Sequence, residues 1–153
     1  MHMIAVVLAV LDSLILITAG ILHVYWSRGG QWGFEQALPT RPKDPNDEIA
    51  TRRPAFKPPG FLIRMVGLAC FVGAGILLAR SGVITVPIAP SFIRTACWVM
   101  AGLFLLRTIG DFRYAGLFRR IKSSSFAYWD ARLFTPLFLF LGVTTILINL
   151  LAE

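Results

Sequence analysis

Charged residues are scarce in this sequence, and they avoid four long stretches of the chain. Of its 153 residues, 15% are charged and 56% are hydrophobic, and the mean hydropathy is +0.70. A soluble domain carries about 25% charged and about 45–50% apolar residues. Apolar runs that exclude charge are typical of membrane spans rather than of a large soluble core.

Histidine and cysteine are rarer still, which excludes several kinds of site. His2 and His23 stand at opposite ends of one predicted helix, so they cannot share a metal ion or a haem. Cys70 and Cys97 fall singly in different spans, without the paired cysteines that thiol–disulfide enzymes use. Glycine motifs that cradle phosphate and the residue order of a Ser/His/Asp triad are also missing. We therefore expect no metal site and no cofactor.

Acidic residues are the minority charge, since eight Asp and Glu stand against 15 Lys and Arg, for a net charge of +7. A nucleic-acid-binding protein displays such an excess as a basic face on a solvated domain. Here the cations cluster at the ends of the apolar runs, where positive charge directs membrane insertion. We therefore expect no nucleic-acid partner.

The apolar runs predict an all-α membrane protein, a single-domain bundle of four transmembrane helices. The predicted spans are 3–25, 61–79, 92–107 and 133–151. Crossing about 30 Å of hydrocarbon takes about 20 residues, so the third span needs help from snorkelling side chains at its ends. The first span lacks preceding Lys or Arg and exceeds the roughly 7–15 apolar residues of a signal peptide, so we expect it to be retained.

The distribution of cations predicts the orientation of the bundle. Thirteen of the fifteen lie in or beside the loops 27–60 and 108–132, and only Arg80 and Arg94 lie on the other side. Lys and Arg are enriched in cytoplasmic loops. We therefore expect both basic loops in the cytoplasm and both termini outside.

The two basic loops differ in predicted structure. Six of the nine prolines fall within residues 27–60, which favours an extended, non-helical middle for the first loop. The loop 108–132 instead has apolar residues at helical spacing between its cations: Phe112, Ala115, Phe118 and Ile121. That pattern predicts a short interfacial helix over residues 111–122.

Asp12 is an ionisable residue inside the first predicted span. A charge at the centre of a membrane helix costs about 2.5–3.5 kcal/mol on insertion scales, so such a residue usually faces the protein interior or a cavity. Its depth predicts a polar cluster in the outer half of the bundle with Arg94, Thr144, Thr145 and Asn149. Two interpretations stay open: a hydrogen-bonded packing residue, or a proton or cation site.

The cytoplasmic helix ends gather a second group of polar residues. We predict that an anionic amphiphile, such as a lipid headgroup or a phosphorylated isoprenoid, binds there, because guanidinium groups grip phosphate and carboxylate. His23 and Asp111 are the candidate catalytic proton donor and acceptor, since histidine titrates near physiological pH. The candidate ligand-binding residues are Tyr25, Arg64, Arg107, Arg113 and Asp130. The alternative is a structural brace of snorkelling cations and salt bridges, including Arg107 with Asp111 one helical turn later.

Two motifs carry a resemblance to a known family: His23-Val24-Tyr25-Trp26 followed by Gly29-Gly30, and Gly110-Asp111-Phe112-Arg113-Tyr114-Ala115-Gly116. With these motifs the chain resembles a family of small bacterial four-span membrane proteins defined only as a domain of unknown function. The resemblance covers nearly the whole chain. It implies the four-span fold and a place in the bacterial cytoplasmic (inner) membrane, and it implies no activity.

Two classes of function remain open from the sequence. The first is a protein that binds or processes an anionic lipid or amphiphile, whether or not it is an enzyme. The second is a non-catalytic accessory subunit of a membrane complex, or a small proton-coupled transporter that uses Asp12. The expected partners are membrane lipids, with a second copy of the chain or a complex partner as further options. A cavity lined by His23, Arg64 and Asp111 favours the first class, and a filled, salt-bridged bundle favours the second.

Overall fold

A computed structural model describes residues 1–39, 58–122 and 124–152. In these residues the fold is all-helical, without a strand. The helices are α1 His2–Ser27, α2 Phe34–Ala37, α3 Gly60–Arg80, α4 Pro90–Ile109, α5 Ser125–Trp129 and α6 Thr135–Leu151, with a π-helical turn at Asp130–Phe134 that joins α5 to α6. Four helical segments are long and apolar enough to cross a membrane, the last of them the continuous stretch Ser125–Leu151. The prediction of an all-α bundle of four membrane helices is confirmed.

The helices begin and end at residues with suitable backbone chemistry. Pro90 opens α4, where its missing N–H costs no helical hydrogen bond. Gly110 ends the same helix at φ 91°, a conformation that residues with a Cβ rarely adopt. Ser124 caps α5, because its hydroxyl accepts a hydrogen bond of 3.0 Å from the Ala127 N–H.

The four long helices form a ring in which α1 packs on α3, α3 on α4, α4 on α6, and α6 back on α1. This order leaves α1 and α4 diagonally opposed. Small residues bring α1 and α3 close together, since a Cβ placed on Gly67 would lie 3.1 Å from the Gly20 carbonyl oxygen. The core between the helices is built from small and aliphatic residues: Ala9, Leu16, Ala74, Leu77, Cys97, Leu141 and Ile148.

The bundle has two distinct ends. The termini end holds His2, the α3–α4 connection and Ala152, which line one depression of about 370 Å³. The loop end holds the C-termini of α1 and α4 and the starts of α3 and α5. Antiparallel neighbours thus place both basic loops at the loop end.

The predicted interfacial helix over residues 111–122 is wrong, because this segment is an irregular, folded loop. Gly110, Phe112 and Gly116 all have positive φ, which a right-handed helix cannot contain. The rings of Phe112 and Phe118 stack with centroids 6.1 Å apart, so the apolar residues pack on each other within the loop. Their helical spacing in the sequence is coincidental.

The structure describes only the two ends of the first loop, whose middle is predicted to be extended. Its beginning forms the short helix Phe34–Ala37, which the sequence analysis did not predict. This helix packs against α5 at the start of the last span. The expected extended middle of the loop, with Pro42, Pro45 and Pro54, lies outside the described residues.

Candidate functional site

Asp130 is the centre of a polar cluster at the loop end. Its side chain is fully buried in the π-helical turn that starts the last span. One carboxylate oxygen, Oδ1, accepts a hydrogen bond of 2.8 Å from Arg107 Nη2. The other, Oδ2, accepts from the Gly116 N–H at 2.8 Å and from the Thr135 hydroxyl at 3.0 Å. The carboxylate therefore joins α4, the 110–122 loop and the last span.

A second arginine reaches the same carboxylate. Arg119 Nη1 lies 3.5 Å from Asp130 Oδ2 and donates a hydrogen bond of 2.7 Å to the Gly116 carbonyl. Two guanidinium groups thus share one negative charge, so the cluster keeps a net positive charge. Arg107 Nη1 and Arg119 Nε are buried without a hydrogen-bond partner in the part of the chain that is described.

The π-helical turn explains how Asp130 obtains one of its donors. A π-helix bonds residue i to residue i+5, so the side chains of Asp130 and Thr135 lie over one another. The hydroxyl of Thr135 then reaches the carboxylate, as the bond of 3.0 Å shows. Single π-turns of this kind are frequent at functional sites.

Asp111 holds the conformation of the adjoining loop. Its Oδ1 accepts hydrogen bonds from the backbone N–H groups of Arg113, Tyr114 and Ala115, at 2.9, 2.7 and 2.9 Å. Burial by itself raises the pKa of Asp111, but these three donors and the charge of Arg107 lower the pKa on balance, below its ordinary value of 3.8. The predicted ion pair between Arg107 and Asp111 is wrong, because α4 ends before Asp111 and Arg107 bonds to Asp130 instead.

A basic depression of about 570 Å³ lies on the outside of this loop. It is lined by Asp111, Phe112, Arg113, Arg120 and Ile121. The Arg113 carbonyl accepts hydrogen bonds from the N–H groups of Arg120 and Ile121, at 3.2 and 3.0 Å, and so fixes the spacing of the two arginines along the chain. Both arginine side chains are exposed.

His23 lies in a different environment, on α1. Its Nδ1–H donates a hydrogen bond of 2.8 Å to the Ala19 carbonyl, and its ring meets Trp26 edge-on with centroids 5.1 Å apart. It lines an apolar groove of about 530 Å³, whose other walls come from α1, the short helix α2 and α3: Trp26, Phe34, Leu38, Leu62 and Val66. Tyr25 points elsewhere, into a depression with Arg28 and Gly30.

The predicted site residues are therefore not brought into one cavity. Arg107, Arg113, Asp111 and Asp130 come together around the 110–122 loop, while His23 and Tyr25 line separate depressions on α1. Arg64 is exposed on α3 and forms no hydrogen bond or ion pair with another described residue. None of the four depressions described above is lined by His23, Arg64 and Asp111 together, so the cavity that would favour amphiphile binding at those three residues is not found among them. The depression that contains two arginines is a different one, lined by Asp111, Arg113 and Arg120.

Asp12 lies in the middle of the bundle and is fully buried. Its Oδ2 is 2.7 Å from the Thr144 hydroxyl, which is the predicted contact between the first and last spans. Its Oδ1 and the Thr145 hydroxyl are buried without a hydrogen-bond partner among the described residues. The Arg94 backbone carbonyl joins the cluster, because it accepts a hydrogen bond of 3.2 Å from Asn149 Nδ2.

Arg80 is a polar contact that the sequence analysis missed. Its guanidinium donates three hydrogen bonds of 2.7 Å, to Asn149 Oδ1, to the Asn149 carbonyl and to the Ala152 carbonyl. It therefore caps the C-terminal end of α6, where free carbonyls and the helix dipole favour a cation. The available signal was a lone arginine at the end of an apolar run, on the side of the membrane that has few cations.

Arg119 and Thr135 were missed for a different reason. Arg119 stands in a run of loop cations, and Thr135 is one of several hydroxyls in an apolar stretch. Only the folded loop and the π-helical turn bring them to Asp130. In the described ranges, no three side chains of His, Cys, Asp or Glu come together to hold a metal ion.

Residues 16–145 match a family described as "Protein of unknown function (DUF3995)". The matched segment covers most of the chain, including both motifs quoted above. No curated protein and no solved structure matches this chain.

Proposed function

This chain belongs to the DUF3995 family, and we propose that it binds the headgroup of an anionic amphiphile at the basic loop end of its membrane bundle. The observation that carries the proposal is the excess of positive charge around Asp130. Residues 107–132 contain six cations and two carboxylates, which leaves an excess of four positive charges. Both carboxylates are occupied within the protein, because Asp130 binds Arg107 and Asp111 caps the loop.

The arginines of this region are suited to phosphate. A guanidinium presents donors in a planar fork, and arginine clusters at the membrane surface attract anionic lipid headgroups. Arg113 and Arg120 line the open depression, while Arg107 and Arg119 at the Asp130 cluster each have a buried nitrogen without a hydrogen-bond partner among the described residues. An anion in the depression therefore meets two exposed cations and the net positive charge of the buried cluster.

Apolar side chains flank these cations. Phe112 and Ile121 line the same depression as the arginines, and Leu117 and Phe118 are exposed beside it, at 60% and 61% of their maximum. Cations next to exposed apolar residues are typical of protein surfaces that lie in the membrane interface. An amphiphile can thus place its headgroup on the arginines and its chain on the aromatic rings.

The proposal includes an orientation in the bacterial cytoplasmic membrane. The excess of cations at the loop end favours placing that end in the cytoplasm, with both termini outside. Reporter fusions at Lys43 and Ser124 should then give cytoplasmic signals, and fusions at Gly82 and Glu153 should give periplasmic signals. The opposite result at both loops would overturn this orientation.

Lipid retention tests the binding proposal directly. Gently extracted protein is exchanged with phosphatidylglycerol or with phosphatidylcholine of the same acyl chains, and native mass spectrometry counts the bound lipid. Wild type should retain phosphatidylglycerol preferentially, and the double variant Arg113→Gln/Arg120→Gln should lose this preference because both exposed guanidinium groups are gone.

The matched control is Arg64→Gln/Arg132→Gln, which removes two exposed cations from the same end of the bundle. This control should retain phosphatidylglycerol as wild type does. His23→Ala should also retain it, since His23 lines the separate apolar groove. An equal loss in both double variants would show a diffuse basic surface and would contradict a site at the 110–122 loop.

A further inference from the structure

The hydrogen bonds of Thr144 determine the protonation state of Asp12. The Thr144 hydroxyl lies 2.7 Å from Asp12 Oδ2 and 2.7 Å from the Phe140 carbonyl oxygen. A hydroxyl has one proton to donate, and a carbonyl oxygen can only accept. Both contacts are full hydrogen bonds only if Thr144 donates to Phe140 and Asp12 donates to Thr144. That arrangement requires a proton on the Asp12 carboxyl group.

The surroundings of Asp12 agree with a neutral carboxyl group. The core of the bundle consists of small and aliphatic residues, and Asp12 forms no ion pair with a described cation. An ionised carboxylate at the centre of a membrane helix costs about 2.5–3.5 kcal/mol on insertion scales. Its second oxygen, Oδ1, has no donor in the described part of the chain to offset this cost.

Polar side chains lead from Asp12 to one end of the bundle only. Toward the termini end, α6 buries Thr145 and, one turn later, Asn149, whose amide binds Arg80. Arg80 lines the depression of about 370 Å³ at that end, together with His2 and Ser81. Thr145 and Asn149 are therefore buried, polar and one helical turn apart, and the partly buried Arg80 of α3 follows them toward the termini end.

Toward the loop end the buried residues are apolar from Ser13 as far as the polar cluster of Thr108, Asp130 and Thr135. Leu16 and Gly20 continue the buried face of α1, and Leu141 continues that of α6. The titratable or charged groups on the surrounding helices fall into three sets. Cys70 and Cys97 lie in or against the core, His2, Arg80 and Arg94 lie near the termini end, and His23, Tyr25, Arg64 and Arg107 lie near the loop end. Among the described residues, the other buried carboxylate is Asp130, which lies 14 residues from Thr144 along the last span, a rise of about 21 Å.

We propose that Asp12 is a proton-binding site in the membrane core, and that it exchanges its proton with water that reaches it from the termini end along the polar side chains of Thr145 and Asn149. The step is a proton transfer alone: the carboxyl O–H bond breaks and water at the termini end takes the proton, and the return step reverses this. This activity goes beyond lipid binding at the loop end, and it is the chemistry that a proton-coupled membrane carrier requires.

The test uses dicyclohexylcarbodiimide, an apolar reagent that modifies protonated carboxyl groups inside membranes. The full chain is reconstituted into proteoliposomes with a single orientation, and peptide mass spectrometry locates the label. Asp12 should be labelled and Asp130 should not, because the Asp130 carboxylate is paired with arginines. In the Asp12→Asn variant the peptide that contains residue 12 should carry no label, because the carboxyl group is gone.

Sidedness distinguishes proton exchange from a permanently neutral packing residue. Making the medium alkaline at the termini end alone should reduce labelling of Asp12, by about tenfold for each pH unit above the midpoint. Making it alkaline at the loop end alone should leave labelling unchanged. Thr145→Val should slow this response to pH, while Thr18→Val should not, because the Thr18 hydroxyl binds its own helix at Leu14 on the exposed face.

Three outcomes would overturn the proposal. Labelling of Asp130 in place of Asp12 would mean that the proton resides on the other buried carboxyl group. Labelling of Asp12 that ignores pH on both sides would make it a structural residue. Labelling that responds equally to both sides, or from the loop end alone, would contradict access through Thr145 and Asn149.

Discussion

Asp130 and Asp12 are both fully buried on the helices of one small bundle, yet their surroundings are opposite. Asp130 receives hydrogen bonds from an arginine, a backbone N–H and a hydroxyl, and a second arginine lies 3.5 Å away. Asp12 has one hydroxyl as its partner. Burial alone therefore does not determine the role of a carboxyl group in this membrane protein.

The position of each aspartate along the helix bundle explains why Asp130 has several partners and Asp12 has one. Asp130 lies at the loop end, where the long side chains of Arg107 and Arg119 reach inward from the headgroup level. The irregular loop beside it also supplies a backbone donor, the Gly116 N–H, because this group is not used in a helix. Asp12 lies at mid-helix, where the backbone donors are already used by the helix, and its partner is the Thr144 hydroxyl. Asp130 is paired with arginines and acts as a brace, whereas we infer that Asp12 is neutral.

The same substitution at the two aspartates should give the largest difference in stability. Asp130→Asn leaves two guanidinium groups without their counter-charge, and breaking a buried ion pair in this way costs about 3–5 kcal/mol. Asp12→Asn replaces a neutral carboxyl group by a neutral amide of the same shape, so the loss should be below about 1 kcal/mol. Unfolding of both variants in detergent by denaturant measures the two values. Equal losses would break the distinction between a charged brace and a neutral site.

A substitution in the 110–122 loop tests how much the hydrogen bonds of Asp130 depend on the conformation of that loop. Gly110 has φ 91° and ψ −172°, and a Cβ there would overlap the Ala115 carbonyl. Gly110→Ala should therefore lower the free energy of unfolding by about 1–3 kcal/mol, the usual cost of a glycine-only conformation. Gly102→Ala is the matched control, because a Cβ on Gly102 of α4 meets nothing within 4 Å. If both variants are equally stable, the loop does not support Asp130.

The partner of Asp12 should have a smaller effect. Thr144→Val removes the single hydrogen bond between α6 and Asp12, and such bonds between membrane helices contribute about 0.6 kcal/mol on average and at most about 1.7 kcal/mol. Thr18→Val serves as the control, with no expected loss. A cost for Thr144→Val as large as that for Asp130→Asn would mean that the Asp12 contact is also a brace.

The smallest expected effect concerns Asp111, an exposed aspartate that completes the comparison. The pKa of Asp111 is lowered in the folded loop, so its contribution to stability is fully present above the ordinary value of 3.8 and is lost as pH falls through the lowered pKa. Titration of the Arg113, Tyr114 and Ala115 amide signals by nuclear magnetic resonance should show a midpoint below 3.8. A midpoint at or above that value would contradict the three backbone hydrogen bonds.

The sequence predicts the bundle well because membrane helices are recognised by length and hydropathy alone. It also places Asp12 at the same depth as Thr144, Thr145 and Asn149, because depth can be counted along two antiparallel helices at a fixed rise per residue, but it does not say which of them Asp12 contacts. Both of these predictions depend only on the regular geometry of α-helices.

The loop end could not be predicted in the same way. The spacing of Phe112, Ala115 and Phe118 is helical, but the positive φ of Gly110 and Gly116 and the Asp111 cap produce an irregular loop instead. Arg107 has two candidate carboxylates, Asp111 and Asp130, and sequence spacing favours the wrong one. The choice depends on where α4 ends, and helix ends are less well determined by sequence than helix centres.

The ring order of the helices has a consequence for the order of assembly in the membrane. Three of the four packed pairs, α1 with α3, α3 with α4 and α4 with α6, join spans that follow one another along the chain. The fourth joins the first span to the last, and its hydrogen bond connects residues 132 positions apart. Contacts of long sequence separation carry the largest loop-closure cost and form late. Asp12 therefore enters the membrane first but acquires its partner only when the last helix is in place and the ring closes.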